Sequence, residues 1–244
     1  AELFPDEVAG MNSAQKREKI VALMREKGAD SCLITMTDSV CWLLNVRGRD
    51  MLYTPSLLSF AMLYADGSLD WFIDPRKVTP NVRQHLGEAV RVITREEMPA
   101  RLAQFSGSKV MLDRDKSALW FEETLKASGA QIVGEKDPIE RLKAIKSETE
   151  IEAVRQAHIR DAIAMIQLLQ EIDTEAHKGR MTEIYIDERI QMLRAQQFGY
   201  QGPSFATIAG YAENGAIIHY RATPETNKQI TPPGLLLIDC GGQY

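Results

Sequence analysis

Residues 57–73 constrain the fold more than any other part of this sequence. Two apolar runs, LLSFAMLYA and LDWFI, flank the pair Asp66-Gly67. An Asp-Gly pair between two such runs is a strong hairpin signal, because glycine readily takes the positive φ that a tight turn requires. The segment therefore predicts two neighbouring antiparallel strands within a larger sheet that buries their apolar faces.

Further strand-like runs surround this hairpin and alternate with helical segments. A helix capped by Asn12 or Ser13 and stopped at Gly28 comes first. Helix-like stretches also lie around 96–104 and 117–127, and such alternation is typical of an α/β layer structure. The strand-like runs are SCLITM, VCWLL, VRVIT at 90–94, KVMLDR at 109–114 and AQIVG at 130–134. The sequence predicts an α/β domain over residues 1–137.

The pattern changes after Asp137-Pro138. Ser147 and Glu150 have the spacing of a capping box, which predicts the start of a long helix. A second helix follows from Thr182, and then come the short β-rich runs SFATIAG, AIIHYRA and LLLIDCG. We interpret His158 as a packed imidazole on the long helix, whose expected buried stripe comprises Ile151, Val154, His158, Ala162, Met165, Leu169 and Ile172. These elements predict a second, α+β domain over residues 138–244.

Charge and composition exclude several partners and locations. The formal net charge is -5 and no dense Lys/Arg cluster is present, so nucleic acid is not expected as a partner. No apolar run approaches the roughly 20 residues that span a bilayer, and the acidic opening lacks the features of a signal peptide, so no membrane association is expected. The three cysteines are irregularly spaced, which favours a reducing compartment, and we predict a cytoplasmic location.

Two polar residues beside apolar runs are the candidates for chemistry. Asp239 ends the run at 235–238, and a carboxylate there needs hydrogen bonds, a cation or water, because burying an uncompensated charge is costly. It either caps the turn at Gly241-Gly242 or binds a metal ion. His219 is either a half-buried, hydrogen-bonded histidine or a catalytic group.

The segments that carry these two residues, SFATIAGYAENGAIIHYRATPETN and LLLIDCGGQY, resemble the pita-bread metallohydrolases, and specifically the aminopeptidase P branch. The earlier segment DSVCWLLNVRGRDMLYTPSLLSFAML is similar to the creatinase-like domain of the same enzymes. DPIERLKAIKSETEIEAVRQAHIRDA is similar to the crossing between their two domains. The resemblance covers nearly the whole chain. It implies an α/β creatinase-like N-terminal domain followed by the first half of an α+β pita-bread domain.

In terms of activity, the resemblance implies hydrolysis of the bond between an N-terminal residue and a following proline. Two divalent ions, usually manganese, are then expected, with Asp239 as the first of two aspartate ligands. His219 matches the histidine that contacts the substrate and stabilises the reacting carbonyl. Arg47 lies in a loop similar to one at the active-site mouth, so we predict a substrate-entry role, beside the plain alternative of a surface or hinge ion pair. The expected partners are peptides with proline in the second position and a second copy of the chain in a homodimer.

The resemblance also implies metal ligands that this sequence does not contain. The second aspartate, the other histidine and two glutamates of the family pattern would follow Tyr244. We therefore expect a fragment of such an enzyme that is inactive alone and binds no metal. Two rival functions stay open: a creatinase-type amidinohydrolase without a metal pair, and a catalytically silent binding module of the same fold.

Overall fold

A six-stranded mixed sheet organises the first part of the chain. The computed structural model describes residues 1–244 and divides into two compact units. Ala1–Met51 and Pro55–Ile151 form the first unit, and Leu52–Thr54 and Glu152–Tyr244 form the second.

The structure contains twelve strands and nine α-helices. The strands are β1 (Glu2–Leu3), β2 (Ser31–Ile34), β3 (Val46–Arg47), β4 (Phe60–Tyr64), β5 (Leu69–Phe72), β6 (Val90–Ile93), β7 (Lys109–Leu112), β8 (Gln131–Gly134), β9 (Gly202–Pro203), β10 (Ile208–Tyr211), β11 (Leu236–Asp239) and β12 (Gly242–Gln243). The helices are α1 (Asp6–Ala9), α2 (Ser13–Glu26), α3 (Thr37–Leu44), α4 (Pro80–Leu86), α5 (Met98–Leu102), α6 (Leu119–Ala127), α7 (Pro138–Ala144), α8 (Glu148–Glu175) and α9 (Glu183–Ala195). None of these helices is both long enough and apolar enough to cross a membrane.

The large sheet has the strand order β6-β5-β4-β2-β7-β8. The hairpin prediction is confirmed, because β4 and β5 pair antiparallel and Gly67 in the turn between them has a φ of 83°. β2 pairs antiparallel with β4 and parallel with β7, and both edge strands, β6 and β8, are parallel to their neighbours. The remaining strands predicted around the hairpin are therefore confirmed, apart from VCWLL.

Side-chain alternation along the strands builds a core on each face of this sheet. In β2, Cys32 and Ile34 point to one core and Leu33 points to the other. The first core also contains apolar residues of α2, α3, α4 and α7, whereas the second contains residues of α5 and α6. The first unit is therefore a three-layer α/β/α structure, as the alternating sequence pattern predicts.

The run VCWLL is helical rather than a strand. It forms the end of α3, and Val40, Leu43 and Leu44 are completely buried there. A short run that is apolar throughout has the sequence pattern of either a buried strand or a buried helix, and its length alone does not distinguish the two. Asn45 ends the helix with a φ of 51°, which turns the chain into β3.

The compact units divide between Ile151 and Glu152, whereas the sequence prediction places the domain boundary between residues 137 and 138. Helix α7 lies in between and packs with the first unit. Its Ile139 is fully buried in the same core as α2 and α3. Apolar packing thus carries the first unit beyond Asp137-Pro138, where the sequence shows a turn signal.

The second unit packs α8 and α9 against a small antiparallel pair of strands. The prediction for α9 is confirmed, because Thr182 caps it and Ile186, Ile190 and Leu193 are buried. β10 pairs with β11, and β9 pairs with β12. The apolar cluster of this unit also takes in Ala164 and Leu168 from α8.

The predicted long helix is confirmed as α8, and Ser147 and Glu150 form the expected capping box. Its predicted buried stripe is wrong in part. Val154, His158, Ala162 and Leu169 are exposed, so His158 is not a packed core imidazole. Apolar residues lie on more than one face of α8, and contact with α9 and the strands selects the face through Ala164 and Leu168.

Candidate active site

The antiparallel pair β10–β11 carries the first candidate residue. Ile208 is paired with Asp239 at one end of the ladder, and Tyr211 is paired with Leu236 at the other. Leu236 and Ile238 face the apolar cluster of the second unit. Because alternate side chains of a strand point to opposite faces, Leu237 and Asp239 occupy the outer face.

Asp239 is exposed at the end of this outer face. Leu237, on the same face, is also exposed, and Leu235 just before the strand is 79% exposed. The carboxylate therefore stands in water beside uncovered apolar side chains. The two interpretations drawn from the sequence, a cap of the Gly241-Gly242 turn and a metal ligand, stay predictions.

His219 does not lie in a strand, contrary to the prediction for AIIHYRA. The chain leaves β10 through a 3-10 turn at Ala212–Ala216, and His219 follows it with a φ of 56°. Its side chain is exposed, and so are those of Ile217 and Ile218, so the two isoleucines form no buried face that would hold this run in a sheet.

The turn before His219 folds back onto the outer face that carries Asp239. A Cβ atom placed on Gly210 would lie 2.8 Å from the backbone nitrogen of Gly215, so the turn needs glycine at position 210. A Cβ atom placed on Gly215 would lie 3.5 Å from Cβ of Leu237. The structure thus brings the start of the His219 segment and Asp239 to one face of the β10–β11 pair, without placing the two side chains in contact.

The residues present do not fit the two-ion centre that the resemblance implies. The chain contains no group of three or more His, Cys, Asp or Glu side chains that could hold a metal ion. Asp239 supplies one carboxylate, and a specific site for a hard divalent ion takes several oxygen or imidazole ligands.

Behind β11 lies a buried ion pair that the sequence did not reveal. The guanidinium of Arg194 is 1% exposed and donates to both carboxylate oxygens of Asp161, at 2.8 and 2.9 Å. Arg194 also donates to Sγ of Cys240 at 3.4 Å, and Cys240 packs into the apolar cluster. Burial raises the pKa of the Cys240 thiol, although Arg194 opposes the shift. The thiol stays protonated at neutral pH and faces away from Asp239.

Arg47 lies in the first unit, on β3, which pairs with β1. Its guanidinium sits 4.2 Å from the centre of the Phe4 ring, and burial lowers its pKa. The side chain is half-buried. The predicted role at a substrate entrance stays a prediction.

A second buried acid escaped sequence reasoning altogether. Glu183 stands in the first turn of α9, where acidic residues are common because they favour the positive end of the helix dipole. The structure shows it fully buried, and it contacts both ends of the segment that contains His219. The only signal in the sequence is an acid at the start of a helix, which is ordinary at a surface.

Comparison with known proteins identifies the two parts of the chain. Residues 1–150 match the family model described as the creatinase/prolidase N-terminal domain. The chain belongs to this family. Residues 152–244 match the model of metallopeptidase family M24. Together the matches confirm the predicted fold class, a creatinase-like domain followed by part of a pita-bread domain.

The curated relatives are considerably longer than this chain. Xaa-Pro aminopeptidase 1 of Dictyostelium discoideum is 31% identical over 245 residues, which cover 98% of this chain and 38% of the relative. Aminopeptidase P1 of Arabidopsis thaliana is 28% identical, with 99% of this chain and 45% of the relative covered. The chain spans less than half the length of these relatives.

A solved structure shows the same fold. The X-prolyl aminopeptidase of Caenorhabditis elegans, described as a cytosolic enzyme with a di-nuclear active site, superposes with a TM-score of 0.91 at 24% identity. The match covers 99% of this chain and 40% of that protein.

Proposed function

We propose that the full-length protein is a metal-dependent Xaa-Pro aminopeptidase that removes the N-terminal residue from peptides with proline in the second position. The observation that carries this proposal is the outer face of β10–β11, where the turn leading to His219 packs beside Leu237, two residues before Asp239, in a chain whose second part matches family M24. Proline fixes φ and lacks an amide hydrogen, so a pocket can select its shape and exclude ordinary peptides.

His219 is the proposed catalytic and substrate-binding residue. Its exposed imidazole can donate a hydrogen bond to the scissile carbonyl, and a donor aimed at the developing negative charge lowers the barrier. The neighbouring Ile217 and Ile218 are apolar and exposed, so their side chains offer the ring no hydrogen bond.

Asp239 is the proposed metal ligand of this chain. We propose two divalent manganese ions for the full-length protein, since hard carboxylate oxygens suit such ions. The relative from Caenorhabditis elegans is described as having a di-nuclear active site, which supports the pair. The further ligands would come from the part of the relatives that this chain does not span, so the 244 residues alone are expected to be inactive.

Three further expectations belong to the same proposal. Arg47 contributes to substrate entry, the protein forms a homodimer, and it works in the cytoplasm. The description of one relative as a cytosolic enzyme supports the location, as do the three free cysteines.

Peptide hydrolysis with matched variants tests the proposal. The full-length protein is assayed with added manganese on two tripeptides that differ only in proline or alanine at the second position. We expect turnover of the proline peptide alone. His219→Ala should lower kcat roughly 10²- to 10³-fold, the usual cost of losing one transition-state donor, while the bound manganese is retained. Asp239→Ala should lose both the activity and bound manganese.

His177→Ala serves as the control, because His177 is exposed on the second unit and belongs to no proposed site. Cleavage of creatine instead of peptides would point to the amidinohydrolase alternative. A full-length protein that binds peptides but cleaves none, with any divalent ion, would be a binding module. Normal turnover in both the His219 and Asp239 variants would refute the site.

A further inference from the structure

Glu183 is a buried carboxylate whose charge is met by neutral donors. Its Oε1 accepts hydrogen bonds from the backbone nitrogen of Tyr211 at 2.7 Å and from Nδ2 of Asn214 at 3.0 Å. Its Oε2 accepts from the hydroxyl of Tyr220 at 2.7 Å and from the backbone nitrogen of Lys228 at 3.0 Å. Such a group is retained in a protein interior only where its hydrogen bonds replace those of water.

These hydrogen bonds favour the charged form. Burial alone would raise the pKa of Glu183, but the two backbone donors, together with Tyr220 and Asn214, lower it below its usual value. The carboxylate is therefore ionised at neutral pH, and its two oxygens accept five hydrogen bonds in all.

All four donors belong to residues 211–228, the stretch of chain that contains His219. Asn214 and Tyr220 stand on either side of His219, and both side chains are buried. They also bond to each other, since Nδ2 of Asn214 donates to the Tyr220 hydroxyl at 2.8 Å. The loop that presents His219 is thus closed at its base by a three-residue network of Glu183, Asn214 and Tyr220.

The loop itself has little else to hold it. Ile218 is 86% exposed, so apolar packing contributes little at the tip. His219 nevertheless takes a φ of 56°, in the left-handed region that non-glycine residues adopt only when their surroundings impose it. The surroundings that can impose it here are the two anchored ends of the loop.

From this arrangement we propose that Glu183 is a positioning residue for the reaction, which fixes the conformation of His219 through Asn214 and Tyr220. The inference rests on the proposed function for the role of His219 in turnover. It does not rest on that function for the claim that Glu183 sets the loop. Glu183 touches neither substrate nor metal in this proposal, and it acts only through the histidine.

A double-mutant cycle on the full-length protein tests it. Glu183→Gln replaces one acceptor oxygen by an NH₂ group, whose hydrogens then face the existing donors. We expect kcat to fall roughly 10²-fold, because a catalytic group misplaced by about 1 Å loses activity of this size. KM should change much less. In the His219→Ala background, the same substitution should lower kcat by no more than roughly threefold, because residues that act as a unit are not additive.

Two control variants separate positioning from general stability. Glu171→Gln breaks a comparable network, in which Glu171 accepts from the Tyr185 hydroxyl and from Arg189 on the same helix α9. Glu188→Gln changes an exposed glutamate of that helix. Both should leave kcat within roughly twofold of the wild type when assayed well below the unfolding temperature.

Hydrogen exchange of residues 212–228 tests the conformational claim independently of activity. We expect faster exchange in Glu183→Gln than in Glu188→Gln, with the rest of the second unit unchanged. Additive losses in the cycle, or equal losses in Glu171→Gln, would show that Glu183 contributes only stability and overturn the proposal. If the wild type cleaves no Xaa-Pro peptide, the proposed function fails, and unchanged exchange in 212–228 would then refute the positioning claim on its own.

Discussion

Lys16 is buried in the first unit, and its charge makes the stability of that unit depend on pH. The side chain is 1% exposed, its ammonium donates to the carbonyl of Trp42 at 2.9 Å and to Oδ1 of Asn45 at 2.5 Å, and it lies 4.1 Å from the Trp42 ring centre. Burial lowers the pKa of Lys16 from 10.5 to about 8, although Glu150 and Asp6 oppose the shift.

The sign and size of the effect follow from proton linkage. Between pH 8 and 10.5 the unfolded chain holds the Lys16 proton while the folded chain releases it, so this residue makes the folded state more stable as the pH rises. Taken in full, the change in pKa corresponds to ~3 kcal/mol at ~1.4 kcal/mol per pH unit. Because the titration is still incomplete at pH 10, below the unfolded pKa of 10.5, we expect about 2 kcal/mol of this between pH 7 and 10.

Urea unfolding at pH 7, 8, 9 and 10 measures this contribution. Trp42, Trp71 and Trp120 are the tryptophans of the chain and all lie in the first unit, so their fluorescence reports its unfolding. The free energy of unfolding of the wild type minus that of Lys16→Met should rise with pH by about 2 kcal/mol. Lys19→Met changes an exposed lysine of the same helix and should give a flat difference. A flat or falling difference for Lys16→Met would refute the reasoning.

Two further substitutions test buried ion pairs, one in each unit. Asp70 is fully buried and accepts hydrogen bonds from two arginines and a tyrosine. Asp70→Ala should therefore lower the free energy of unfolding of the first unit by about 2–4 kcal/mol in the same fluorescence assay. Asp66→Ala, in the exposed hairpin turn, should lower it by under ~1 kcal/mol. Arg194→Met leaves Asp161 without its cation and should speed hydrogen exchange in β11 roughly 10- to 100-fold. Arg180→Met, at an exposed position, should leave the exchange rate of β11 unchanged. Equal exchange rates in the two variants would contradict the structural role of the ion pair.

The prediction of the first unit from the sequence succeeded because the structure of its strands is set by residues close together in the sequence. The hairpin at Asp66-Gly67 and the alternation along β2 are set by neighbouring residues, and a two-residue period translates directly into the two faces of a sheet. The failure at VCWLL has the converse cause. A run that is apolar throughout carries no period, so its tertiary contacts decide between strand and helix.

In the second unit the decisive contacts connect distant parts of the sequence. Glu183 accepts hydrogen bonds from Asn214 and Tyr220, which lie more than thirty positions away in the sequence. The run that contains them has a strand-like sequence but forms a turn and a loop. On α8 the sequence offers more than one apolar face, and only the contact with α9 shows that Leu168 is buried while Leu169 is exposed. No local pattern carries either result, which is why the candidate histidine was found but its backbone conformation was not.

The exposure of Asp239 sets a physical condition for its proposed role. In water a single carboxylate binds a divalent ion only weakly, because both the ion and the carboxylate are well hydrated. If a surface covers the outer face of β10–β11, Leu235 and Leu237 lose water together with Asp239, and the uncompensated charge becomes costly. A cation brought by other ligands then offsets that cost, so burial of the two leucines and metal binding by the carboxylate favour each other. If the covering also extends over His219, it excludes water from the imidazole, where a hydrogen bond to a developing charge gains strength as the local dielectric falls.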